Sequence, residues 1–250
     1  MNEGRRQYHV ITLFPQVITG ALGFSILQRA QDKQLVNFLV HDLRDFTHDK
    51  HKVVDDVPYG GGPGMVLKPE PFFEALETIA KIHGPPPRVI LLSPQGKPFN
   101  QKYARELAQE PSLALLCGRY EGVDERVARH LATEEISIGD YVLSGGEFAA
   151  LVILEALVRL IPGVLGQEEC AADSFSEGIL DYPHYTRPAR FRDLEVPEVL
   201  TSGNHQAIRR WRRKEALRRT LLRRPELLEH AQPSEEDKRL VEEIKLEPKE

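Results

Sequence analysis

Apolar residues follow two rhythms along this chain. Short unbroken runs read as buried strands, and longer stretches with apolar positions every three or four residues read as helices. Residues 10–13 open the first kind, and Phe14-Pro15 ends it. A helix is expected over 16–32, with Val17, Ile18, Ala21 and Leu22 on one side, then a second strand over 36–41. The stretch 69–82 starts on proline and carries Phe72, Phe73, Leu76 and Ile79 at helical spacing. Strands over 88–93, 113–117 and 134–138 then alternate with helices over 101–108, 123–130 and 148–160. This order predicts an α/β fold: a parallel sheet with helices on both faces, whose ligands gather beyond the carboxyl ends of the strands.

The rhythm changes after residue 165. Residues 166–178 mix Gln167, Glu168 and Glu169 with Ala171 and Ala172 and show no period, so they read as a flexible interdomain linker. That divides the chain into a sheet domain over 1–165 and a small helical domain over 179–250. The second domain opens on an extended stretch with Tyr182 and Tyr185, and a helix start is expected at 197–200. Ser202-Gly203-Asn204 then signals a helix over 205–223, with Ile208, Trp211, Ala216, Leu217, Thr220 and Leu221 on its apolar side. A short helix at 225–228 and one over 234–244, capped by Ser234 with Asp237 three residues on, complete the chain.

Composition narrows the classes. No run of eighteen apolar residues exists and the first residues are polar, so neither a membrane span nor a signal peptide is expected and the location is read as cytoplasmic. Cys117 and Cys170 stand alone, which fits neither a disulfide framework nor a zinc cluster. The net charge of −5 hides an asymmetry. Residues 205–224 hold eight arginines and one lysine against Glu215 alone, while residues 235–250 hold six glutamates and one aspartate against three lysines and one arginine. Such a basic stretch either attracts phosphate or forms a solvated helix face.

Candidate chemistry lies in the turns. Leu92-Ser93-Pro94-Gln95-Gly96, Cys117-Gly118-Arg119-Tyr120-Glu121-Gly122 and the stretch from Ser137 to Glu147 each follow an apolar run and carry glycine. They are either plain strand-to-helix turns or three walls of one ligand site. Residues 58–64 hold four glycines and two prolines, a loop that is a connector or a surface for a nucleotide. His48 and His51, among Asp45, Asp49, Asp55 and Asp56, lack the spacing and the third nitrogen ligand of a closed zinc shell. They read as a polar loop facing substrate. No G-x-G-x-x-G follows a strand, which counts against a Rossmann cofactor site.

Taken together, the three turns resemble the bacterial tRNA (guanine-N1)-methyltransferases that modify guanosine 37, in the knotted SPOUT class. The likeness extends through 58–64, 161–166, Asp173-Ser174-Phe175, 183–188, 202–205 and 223–228. The resemblance implies a deep C-terminal trefoil knot around the three turns and an all-helical domain after it. It implies S-adenosyl-L-methionine as methyl donor, held by Leu92, Ser93, Pro94, Gly118, Tyr120, Gly122, Ser137, Ile138, Gly139, Tyr141, Leu143, Gly145 and Gly146. Glu121 faces the sulfonium or the polar tail in that reading.

Asp173 is implied as the base for N1, and Arg159 as the group that stabilises O6. The residues add their own support, because Arg159 ends an otherwise apolar helix and Asp173 lies where no core role is evident. A snorkelling arginine and a helix N-cap are the bland alternatives. Asp55 and the loop from Gly60 to Gly64 are implied to meet guanosines 36 and 37 of tRNA. Arg209, Arg210, Arg212 and Arg213 are implied to meet phosphate. A homodimer with composite active sites and a magnesium requirement are also implied, although no residue cluster marks a metal site. Two other readings stay open, a noncatalytic RNA-binding protein of the same fold and a ribose 2′-O-methyltransferase.

Overall fold

Five parallel strands form the centre of the first part of the chain. They are β1 (Arg6–Thr12), β2 (Val36–Asp42), β5 (Val89–Pro98), β6 (Ser112–Cys117) and β7 (Glu134–Ser137), side by side in the order β2-β1-β6-β5-β7. Two short strands, β3 (Asp55–Asp56) and β4 (Val66–Leu67), make a separate antiparallel ribbon around the loop 58–64. This computed structural model describes residues 4–166, 173–231 and 233–247. The chain divides into two compact units, Met1–Gly166 and Gln167–Glu250.

Alternation along each strand explains why both faces of the sheet are covered. Tyr8 and Val10 of β1, Ile90 and Leu92 of β5, and Leu113 and Leu115 of β6 point into one core. That core is closed by helices α1 (Pro15–Leu22), α2 (Ser25–Asp32), α4 (Gln101–Leu107) and α6 (Glu147–Val158). Ile11, Leu91, Ala114 and Leu116 point the other way, into a core closed by α3 (Pro69–His83) and α5 (Glu125–His130). Strands buried on both faces read as continuous apolar runs, which is the pattern seen in the sequence.

Three details differ from expectation. The helix expected over 16–32 breaks at Gly23, and Ser25 restarts it from φ +50° so that Ile26, Leu27 and Ala30 join the first core. Strand β5 continues past Ser93 to Pro98, with a register shift between Leu92 and Lys97 against β7. Gly96 re-enters so close to β7 that a Cβ there would lie within 3.0 Å of the Ile136 backbone. The turn read around Ser93 is therefore a bulge inside a strand, which pushes Ser93, Pro94 and Gln95 out of the ladder.

The second unit holds α7 (Glu198–Thr201), α8 (His205–Arg223), α9 (Glu226–His230) and α10 (Glu235–Leu246). It is not wholly helical, because Arg190–Phe191 and Leu194–Glu195 pair as a short hairpin, β8 with β9, turning through Arg192 at φ +56°. Two-residue strands leave too little alternation to be read from sequence. Ile179, Ala216, Leu217, Leu240 and Ile244 make the core of this unit. Ser234 and Asp237 form the expected capping box at the start of α10. Of the expected linker, residues 167–172 lie outside the described residues. Those after them belong to the second unit: Phe175 N donates to Ile179 O at 2.7 Å, and Ser174 Oγ accepts from Asp181 N at 3.0 Å.

Candidate functional site

Strands β6, β5 and β7 are parallel neighbours, so the segments that leave their carboxyl ends must emerge at one edge of the sheet. A cavity of about 350 Å³ opens there. Its walls include Leu92, Ser93 and Pro94 from the first turn and Gly118, Tyr120, Glu121 and Gly122 from the second. Ser137, Ile138, Gly139, Tyr141, Leu143, Gly145 and Gly146 come from the third. All fourteen residues expected around a cofactor thus share one cavity. Sequence reasoning passed over Arg119, Glu125 and Glu135, which also line it.

Main-chain bonds lock the second and third turns together. Gly146 N donates to Gly118 O at 2.9 Å, while Arg119 and Gly145 form an isolated bridge. Residues 138 to 144 lie in bends outside any helix or ladder. Ser137 Oγ accepts from Gly139 N at 3.2 Å, which helps fix the start of this segment.

The glycine-rich loop joins the same edge. Glu121 N donates to Met65 O at 3.0 Å, and Leu67 N donates to Gly122 O at 3.0 Å. Gly64, at φ +85°, lies so near the Glu121 side chain that a Cβ would fall within 3.0 Å of it. Only glycine meets both conditions, and the result sets the loop beside Glu121. Asp55 lies on β3 opposite Leu67, and Gly60 is exposed on the loop itself.

Behind the cavity wall sits a buried carboxylate that sequence reasoning also missed. Glu147, in the first turn of α6, accepts from the buried Thr12 hydroxyl at 2.7 Å and pairs with Arg119 at 3.6 Å. The Arg119 guanidinium lies over the Phe14 ring, 4.4 Å from its centroid. An acid just after Gly145-Gly146, at the head of an apolar helix, was the one available signal. Burial, and then Glu147, raise the neighbouring Cys117 thiol well above its usual range, so it is an inert core group.

The remaining expected residues fall as follows. Arg159 is half-buried at the C-cap of α6, in the first unit. Asp173 is half-buried in the second unit, where its carbonyl accepts from Ser176 N at 3.1 Å. His48 pairs with Glu74 of α3 at 2.8 Å, which ties the loop to that helix, and Asp49 accepts from the His51 and Val53 amides at 2.9 Å, which shapes the loop itself. Among the described residues no group of three or more His, Cys, Asp or Glu side chains is arranged to hold a metal ion.

The arginines of α8 divide into two faces. Arg210 pairs with Glu243 at 2.6 Å. Arg213 makes two bonds to Asp237, at 2.6 and 2.9 Å, and a third to Glu177. Lys214 and Arg218 are likewise tied to Glu243 and Glu247. Arg209 and Arg212 face outward, exposed.

Comparison with known proteins agrees with this arrangement. The profile of the family described as tRNA (Guanine-1)-methyltransferase TrmD matches residues 6–230. A protein of Dehalococcoides mccartyi named tRNA (guanine-N(1)-)-methyltransferase is 58% identical over 236 residues, 94% of this chain and 95% of that one. Proteins of the same name from Bacillus licheniformis and Anoxybacillus flavithermus are each 56% identical, over 94% of this chain and 97% of theirs. The chain therefore belongs to the tRNA (guanine-N1)-methyltransferase family.

Proposed function

We propose that this chain transfers the methyl group of S-adenosyl-L-methionine to N1 of guanosine 37 in tRNA, where guanosine 36 precedes it. One observation carries the proposal: the three turns wall a single cavity at the carboxyl edge of the sheet, and Gly64 of the glycine-rich loop lies against Glu121 of that wall. The donor set suits the cofactor. Glu121, Glu125 and Glu135 outnumber the one arginine in the wall, which favours a ligand that carries a sulfonium and an ammonium. The bends at 138–144 offer main-chain donors and acceptors to the edge of an adenine. When bound, S-adenosyl-L-methionine supplies an electrophilic methyl group on a positively charged sulfur.

The chain's own residues do the rest. The Asp173 carboxylate takes the proton from N1, so that the ring nitrogen can attack. Arg159 holds the negative charge that gathers on O6, and its place at the end of α6 suits a cation, because the carbonyl end of a helix is partly negative. Asp55 and the loop from Gly60 to Gly64 hold the target guanosine and its neighbour. Phosphate contacts fall chiefly to Arg209 and Arg212, since the charges of Arg210 and Arg213 are already balanced within the unit.

The same reading includes a trefoil knot around the three turns, a cytoplasmic location and a homodimer with composite active sites. Phe148, 63% exposed, and Val152 on α6 offer an apolar face for such a dimer. Calorimetry with S-adenosyl-L-methionine and turnover of Asp173→Ala test the proposal together. The wild type should bind the cofactor, and the variant should keep that affinity within threefold while kcat falls at least about a hundredfold. An active variant would remove Asp173 from the base role, and a wild type that shows no binding heat would sink the proposal.

A further inference from the structure

The second unit contains a cleft in which, of the residues given a role so far, only Arg212 takes part. It is a cavity of about 450 Å³, walled by the extended segment 182–189, by α7 and by the first half of α8. That volume is within the usual range for small-ligand sites, roughly 300–1,000 Å³.

Its chemistry is particular. The Tyr185 ring is half-exposed and leans on Trp211, with centroids 6.4 Å apart and planes at 52°. The Arg212 guanidinium lies over the Tyr182 ring at 4.9 Å, which holds a cation flat against the wall. Arg187 also lines the cleft, and no carboxylate does. Neither Arg187 nor Arg212 forms an ion pair among the described residues, whereas Arg210 and Arg213 on the other face of α8 are fully engaged. Ile208 and Leu200 make the floor apolar.

An aromatic face, an apolar floor and two cations without an acid suit a flat ring joined to an anion. A nucleobase with its phosphate has that form, and unpaired bases bind protein by stacking on such rings. We propose that this cleft holds one unpaired nucleobase of the tRNA against Tyr185, with Arg187 and Arg212 on the adjoining phosphate. The inference rests on tRNA being the substrate. An acidic peptide would use the arginines without needing the ring, and the test separates the two.

The test uses the full chain, transcribed tRNA, and the variants Tyr185→Ala, Tyr185→Phe and Arg187→Gln. Tyr185→Ala should raise KM for tRNA by between about fivefold and a hundredfold, the range for loss of one stacked base. Its kcat and its affinity for S-adenosyl-L-methionine should stay at wild-type values, and Tyr185→Phe should stay within twofold throughout. Arg187→Gln should lower the slope of log affinity against log salt by about one, as expected for one lost phosphate contact. An unchanged KM in Tyr185→Ala would overturn the proposal, as would equal losses in the alanine and phenylalanine variants or an unchanged salt slope. If the wild type places no methyl on guanine the function reading falls, whereas normal methylation with an indifferent Tyr185 removes the cleft alone.

Discussion

Glu147 is 2% exposed, and its partners come from remote parts of the chain, Thr12 at the end of β1 and Arg119 in the second turn. Glu147→Ala leaves a buried hydroxyl and a guanidinium without their acceptor, so it should cost about 2 kcal/mol in urea denaturation; a loss below about 0.5 kcal/mol would contradict this role. His9 is buried with its Nδ1 3.0 Å from His41 Nε2, its ring stacked with His41 and tilted against His83. Burial, then the charges of His41 and His83, lower its pKa from 6.5 to about 3. The unfolded chain binds this proton between about pH 6.5 and 3 while the folded chain does not, so stability present above pH 6.5 is lost as pH falls through that window. Each such proton contributes a slope of up to about 1.4 kcal/mol per pH unit. His9→Phe should flatten the urea midpoint against pH in that window, and an unaltered slope would contradict the account. Neither residue was legible in the sequence, since their partners lie 135 and 32 positions away. The three turns that wall the cavity were legible because each carries its own glycines and follows its own apolar run.

Helices and central strands were legible as elements because their apolar periods persist. The ribbon β3–β4, the hairpin β8–β9 and the bulge in β5 were not, since two-residue strands and a register shift are settled by the neighbouring backbone. Helix α8 shows the same limit in its charges. Its arginines looked alike in sequence, and only the packing of α10 against it commits Arg210 and Arg213 to carboxylates. Asp237 does double duty, as the capping-box acid of α10 and the bidentate partner of Arg213. The hydrogen bonds from Arg213 lower its pKa to about 2. Its contribution is therefore complete above about pH 3.8 and is lost as pH falls toward 2. Asp237→Ala should destabilise the second unit by about 2 to 3 kcal/mol at neutral pH. Proteolysis of the second unit at increasing urea reads this, and a midpoint equal to wild type would contradict it.

At the scale of the whole molecule, a net charge of −5 coexists with a nucleic-acid substrate because charge is apportioned by face. The acids of α10 neutralise one side of α8 and leave Arg209 and Arg212 on the other. The apolar period is lost after residue 165, and the chain falls into the compact units Met1–Gly166 and Gln167–Glu250. The proposed knot would leave no periodic trace, because threading depends on the order in which segments cross and not on which residues are apolar. The central claim joins the cavity of the first unit to one atom of one nucleoside. Unmodified tRNA carrying guanosines 36 and 37 is incubated with the protein and S-adenosyl-L-methionine, then digested to nucleosides and resolved by mass spectrometry. The account predicts 1-methylguanosine from position 37 and its absence when guanosine 37 is replaced; a 2′-O-methyl nucleoside, methyl on another base, or no product at all would contradict it.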